Sequence, residues 1–233
     1  AYRDKLEGAE FVEFLRERLF LMRELLSKDG SMYVHLDQKM GHYIKIILDD
    51  VFGKEYFKNE LIWCFTGPSQ TTKFFVRKHS NIFFYTKTKD YTFNTELLRI
   101  PYKKSTASSG KNSFTGNTPL EKIKELDDRG KLLEDWWPDV AGIAYAHNQD
   151  TGYPTQKPEK LLERIITASS NENDLILDAF VGSGTTCGVA EKLNRKWIGV
   201  DAGKLAIYTS QKRILDIKNH KPFIVMNSGV YEI

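Results

Sequence analysis

Apolar positions recur at helical spacing over residues 9–27, where Phe11, Leu15, Leu19, Met22 and Leu26 form one stripe. Gly30 is expected to stop that helix. Ser31 to Leu36 is a short, mostly apolar run of strand length. Met40, Tyr43, Ile44, Ile47, Leu48 and Val51 make a second helical stripe, closed by Gly53. Leu61 to Phe65 and Asn81 to Tyr85 are rich in aromatic and β-branched residues and predict two more strands. From about residue 88 the pattern decays. Lys103 to Thr118 is polar and rich in Gly, Ser, Thr and Asn, hence loop or partly disordered. Leu120 to Leu133 predicts a helix, and Trp136 and Trp137 before Pro138 are expected in packing. Order returns at Pro154. Pro158 opens a helix with a stripe of Leu161, Leu162, Ile165 and Ile166. An apolar strand ending in Asp178, a glycine turn and a helix follow. Then come a strand over Lys196 to Val200, a helix over about 203–217 and a last strand over Pro222 to Met226. The pattern is α/β at both ends with an irregular insert between them.

Bulk properties narrow the class. The 233 residues suffice for one sizeable α/β domain with an insert. No apolar run approaches the roughly 20 residues that span a bilayer, and residues 1–10 do not resemble a signal peptide. A cytoplasmic protein with no membrane association is expected. Cys64 and Cys187 are too far apart in sequence for a metal-ligand pair, and no metal is expected. Net charge is only +3, yet residues 69–125 hold eleven Lys/Arg against four acids, a local balance of +7. A concentrated basic stretch fits a phosphate-rich partner.

The chemistry lies in residues 174–188, Asp-Leu-Ile-Leu-Asp-Ala-Phe-Val-Gly-Ser-Gly-Thr-Thr-Cys-Gly. A strand, a tight turn with Gly182 and Gly184, and a helix N-terminus form the usual nucleotide cradle of an α/β protein. No Lys follows Gly184, which removes a P-loop ATPase. Cys187 stands where a dinucleotide fingerprint wants its third glycine. Asp201 ends the next strand, where a carboxylate can accept hydrogen bonds from ribose hydroxyls. Asp178 at the strand end would repel a pyrophosphate and suits an ammonium group. S-adenosylmethionine has the ammonium and the ribose and no phosphate. A nicotinamide-cofactor module remains the alternative.

Leu177-Asp178-Ala179-Phe180-Val181-Gly182-Ser183-Gly184-Thr185-Thr186 resembles the S-adenosylmethionine motif of the DNA amino-methyltransferases, which modify adenine N6 or cytosine N4. The family usually has proline where Ala179 stands. Thr155-Gln156-Lys157-Pro158-Glu159-Lys160-Leu161-Leu162 resembles its second cofactor-side motif. Arg195-Lys196-Trp197-Ile198-Gly199-Val200-Asp201 resembles the segment whose acid holds the ribose. The order of motifs resembles the β class of restriction-modification enzymes. That resemblance implies a Rossmann-like methyltransferase fold, with a mixed, mostly parallel sheet and one antiparallel strand. It divides the chain into a catalytic half (1–88), a target-recognition insert (89–150) and a cofactor half (151–233). It implies double-stranded DNA as partner, a possible homodimer, and cofactor contacts from Thr155, Gln156, Lys157, Asp178, Phe180, Gly182, Ser183, Gly184, Thr185 and Asp201. Arg77, Lys78, His79, Lys103, Lys104 and Lys111 are the expected DNA contacts.

The family's catalytic motif is Asp/Asn/Ser-Pro-Pro-Tyr/Phe, and the chain contains no Pro-Pro. Ala1-Tyr2-Arg3-Asp4 resembles sequence shortly downstream of that motif, so the chain is expected to start beyond its own catalytic residues. A separate polypeptide supplying the motif, or a non-catalytic partner, is the alternative. No catalytic residue is therefore assigned. Neither cysteine follows a proline, which removes cytosine-C5 methylation through a Pro-Cys nucleophile. Asp37 is expected to cap the helix that follows it.

Overall fold

The computed structural model describes residues 8–67, 71–101, 124–125, 128–143 and 149–229. Helix α1 (Ala9–Leu25) buries Leu15 and Leu19, as its stripe predicts. It ends when Leu26 turns extended while its N–H still reaches the Met22 carbonyl. Gly30 is therefore not the stop; its own carbonyl accepts from the Lys87 N–H across the next strand. Strand β1 (Ser31–Leu36) follows. The Asp37 carboxylate then accepts from the Lys39 and Met40 N–H groups and caps the turn into α2 (Gly41–Phe52). Gly53, at φ 92°, closes α2 in a backbone region that only glycine enters cheaply.

Strands β2 (Phe57–Cys64) and β3 (His79–Thr86) are longer than the apolar runs that announce them. Ladder hydrogen bonds extend pairing into polar positions such as Asn59 and Ser80. β3 lies between β1 and β2 and is antiparallel to both. Leu61, Trp63, Ile82, Phe83 and Tyr85 pack as core, and α1 and α2 cover Phe83 and Tyr85. The far edge takes β6 (Trp136–Trp137), parallel to β2, giving the order β1-β3-β2-β6. In this sheet β3 is the one reversed strand, as the fold class requires. Strands β4 (Arg99–Ile100) and β5 (Lys131–Leu132) form a separate antiparallel pair. The helix expected over 120–133 is thus replaced at its end by a strand. Much of its earlier part lies outside the described residues.

In the second half, α3 (Glu159–Ser169) leads to β7 (Leu175–Asp178), α4 (Thr185–Lys192), β8 (Lys196–Gly199) and α5 (Lys204–Leu215). β7 and β8 pair in parallel from Leu175↔Lys196 to Asp178↔Gly199. The expected single sheet is thus found in two parts: among the described residues no backbone ladder joins β1 to β7. α3 ties them instead. Its Leu161 packs with Leu61, Trp63 and Trp137, while Ile166 packs with Val189 and Ala190. The Tyr33 hydroxyl lies 2.6 Å from Ser169 Oγ. The strand expected over 222–226 does not form; Ile224 and Met226 are exposed. Phe223 instead packs on the Trp197 ring, 5.7 Å away. No helix among the described residues is long and apolar enough to cross a membrane.

Candidate functional site

β7 delivers Asp178 to the mouth of a turn held by its neighbours on every side. Asp178 Oδ1 accepts from the Phe180 N–H at 3.0 Å, and Oδ2 from the Thr186 hydroxyl at 2.5 Å. Asp201, just past β8, accepts from the Gly182 N–H at 3.0 Å and from the Gly203 N–H at 2.8 Å. One carboxylate therefore sits at the end of each parallel strand, and the glycine turn runs between them. A carboxylate has about four acceptor sites, so both acids keep capacity for a ligand.

The two glycines serve different needs. Gly182 (φ 49°) and Gly184 (φ 74°) both sit at positive φ. A Cβ on Gly184 would also lie 2.7 Å from Ser210 Cα, so α5 leaves no room for a side chain there. α5 grips the turn further: the Ser210 hydroxyl donates to the Gly182 carbonyl and Arg213 Nε donates to the Ser183 carbonyl. Nothing in the local sequence around the turn marks Ser210 or Arg213, because both arrive from a helix about 30 residues later.

The Thr-Gln-Lys-Pro segment docks against this turn. The Thr185 hydroxyl donates to the Lys157 carbonyl at 3.2 Å and lies 3.1 Å from Ser183 Oγ. Ser183, Thr185 and Gln156 are all buried. Gln156 accepts from Thr151 and donates to the Gln149 carbonyl. These three side chains tie loops together. Thr155 is exposed and sits at φ 64°, a strained position for a β-branched residue. Lys157 Nζ donates to the Thr155 carbonyl at 2.6 Å. Burial pushes the Lys157 ammonium down, and the Asp178 charge opposes that push.

Phe180 is half-exposed at the rim, with Phe14 of α1 at 6.4 Å between ring centroids. Behind the turn, burial and then the Asp178 charge raise the Cys187 thiol to about 12, which makes it a poor thiolate nucleophile. Arg195, in the third motif, is buried and clamps the Ser170 carbonyl and hydroxyl.

Sequence reasoning missed His35. It is the penultimate residue of β1 and lies against Trp63, with ring centroids 5.8 Å apart, and its Nε2 is buried without a hydrogen-bond partner. Burial, then the Lys157 charge, lowers it to about 4; Asp37 opposes. Its position in an apolar-looking strand hides it; only the fold brings it near Lys157.

Of the expected DNA contacts, Arg77 and His79 are exposed at the start of β3 and Lys78 is half-buried. Lys103, Lys104 and Lys111 lie outside the described residues. Among the described residues no cluster of side chains could hold a metal ion.

Comparison with known proteins places the chain in a family. Residues 1–212 match the model of the N6/N4 methyltransferase family, described as DNA methylase. The Type II methyltransferase M.EcaI of Enterobacter cloacae is 32% identical, over 91% of this chain and 59% of its own length. The DNA adenine methyltransferase YhdJ of Escherichia coli (strain K12) is 30% identical, over 90% of this chain and 68% of its own length. The chain thus spans about three fifths of the first relative. A crystal structure of an M1.HpyAVI-SAM complex superimposes with a TM-score of 0.59 at 24% identity, covering 88% of this chain and 83% of that one. That likeness is one of fold.

Proposed function

The chain belongs to the N6/N4 DNA methylase family, and we propose that it binds S-adenosylmethionine and serves site-specific methylation of an exocyclic amine in DNA. The observation that carries the reading is the pair of carboxylates, Asp178 and Asp201, at the ends of adjacent parallel strands on either side of a glycine turn. Asp178 at the mouth of the turn disfavours a phosphate there and suits an ammonium group, while Asp201 suits a ribose. S-adenosylmethionine supplies an electrophilic methyl group on a sulfonium.

The residues divide that task. Asp201 accepts from the ribose hydroxyls with the acceptor capacity that Gly182 and Gly203 leave free. Asp178 faces the ammonium end of the methionine moiety. Lys157, within electrostatic reach of Asp178, supplies the opposite charge for its carboxylate. Phe180 covers one face of the bound molecule from the rim. Ser183, Thr185 and Gln156 act by shape, holding the turn and the segment before α3 together, and the Thr155 carbonyl steadies Lys157. An exocyclic amine is a weak nucleophile, so the target base must leave the stack and be aligned with the methyl group. The residues that hold the amine are not assigned in this chain, which contains no Pro-Pro.

Adenine N6 is the proposed acceptor, a reading supported by the relative named as an adenine methyltransferase; cytosine N4 is the alternative. The protein expressed from its complete reading frame should transfer labelled methyl groups from S-adenosylmethionine to duplex DNA. Nucleoside analysis of the product separates the two bases. A protein that binds a nicotinamide cofactor in calorimetry, and not S-adenosylmethionine, would overturn the reading.

A further inference from the structure

The loop between β2 and β3 carries an unusual surface. Phe74 is 60% exposed, Phe75 is 99% exposed and Val76 is 41% exposed, side by side. Residues 71–79, Thr-Thr-Lys-Phe-Phe-Val-Arg-Lys-His, hold three cationic residues and no acid. Single exposed apolar residues are ordinary, but adjacent aromatic rings set among cations are not. A protein partner would account for the rings and leave the cations idle. A phosphate backbone alone would account for the cations and leave the rings idle. A nucleic acid whose bases can be reached accounts for both.

The two rings are not equivalent. The Arg77 guanidinium lies 5.5 Å from the Phe74 ring centroid and steadies that ring. Phe75 stands free beside it. The base of the loop is fixed, because the Phe65 N–H donates to the Lys78 carbonyl and Gln38 donates to the His79 carbonyl.

The loop also has the right position. β1 and β2 run in one direction and β3 runs against them, so the ends of β1 and β2 and the start of β3 lie at one end of the sheet. His35, near that end, feels the charge of Lys157, which in turn feels Asp178. Phe74–Val76 thus belong to the loop at the end of the sheet that neighbours Lys157 and Asp178.

We propose that Phe75 is a wedge that enters the base stack of the bound duplex, with Lys73 and Arg77 on the flanking phosphates. The proposal rests on the reading of the chain as a DNA methylase and adds how the duplex is opened. A wedge pays to unstack an intact step and pays little where stacking is already broken.

The test compares binding to a paired duplex and to the same duplex with one central abasic site. The wild-type protein should prefer the abasic duplex by about tenfold or more, the scale of one unstacked step. Phe75→Ala should bring that preference to about one, and Phe75→Trp, which keeps a ring to stack, should retain it. Arg77→Ala should weaken both duplexes alike and flatten the salt dependence. A Phe75→Ala protein that keeps the preference, or a wild type that binds duplex without one, overturns the wedge alone. A wild type that binds neither duplex overturns the DNA reading and the wedge with it.

Discussion

The turn after β7 and the loop after β2 both follow apolar strands, yet they are built in opposite ways. Around Gly182–Gly184, backbone groups meet partners from just past β8, from α5 and from within the turn. There is no room for even a methyl group on Gly184. Around Phe74–Val76, large apolar side chains stand in solvent. A turn fixed on all sides suits a small ligand of constant shape, because the ordering cost is met on folding. An exposed, charged and aromatic loop suits a large partner whose own shape must change.

Four measurements can break or sharpen that contrast. Gly184→Ala should cost the most, about 3 kcal/mol in denaturant unfolding, from a positive φ and a clash with the Ser210 backbone. A cost under about 0.5 kcal/mol would show that the turn gives way. Next, Asp201→Ala should weaken S-adenosylmethionine binding by about 1–3 kcal/mol in calorimetry. Part of that loss comes from freeing the Gly182 N–H, so Asp201→Asn should fall between mutant and wild type.

The third concerns His35. Its folded value of about 4 lies below its ordinary value of 6.5. The unfolded state therefore binds the proton first as pH falls. The stability that neutral His35 contributes is whole above about pH 6.5 and is lost progressively down to about pH 4. Between about pH 7 and 5.5 the loss should be about 1 kcal/mol. His35→Gln should remove that slope from a series of denaturant unfolding curves; a slope that persists would assign it elsewhere. The smallest effect belongs to the loop: Phe75→Ala should change stability by less than about 0.5 kcal/mol, since its ring touches little to lose. A larger drop would mean that the ring packs in solution.

The turn after β7 was the more legible of the two regions, for a physical reason. A strand, a tight turn and a helix start are local events, and Gly182, Gly184 and the flanking acids are their local chemistry. Asp37 was legible on the same ground, although it caps the turn over residues 38–40 and the N-cap position of α2 itself is Met40. Ser183, Thr185 and Gln156 read as ligand contacts in a motif, and the structure adds that their buried side chains tie loops together. A motif marks that a residue matters and leaves open whether it faces the ligand or the core. Trp136–Trp137 became a strand because β2 offered a free edge, while Pro222 to Met226, no less apolar, joins no ladder.

By itself the sequence determined the helices and strands of residues 9–86 and 159–217, the family, and the two carboxylates beside the glycine turn. Those rest on spacing along the chain, where propensity and turn chemistry act. Only the tertiary structure decided that Asp201 holds Gly182, that Ser210 and Arg213 clamp the turn from α5, that His35 sits near Lys157, and that Phe75 stands in solvent. Each depends on which distant segment packs alongside, and burial and charge are properties of that neighbourhood.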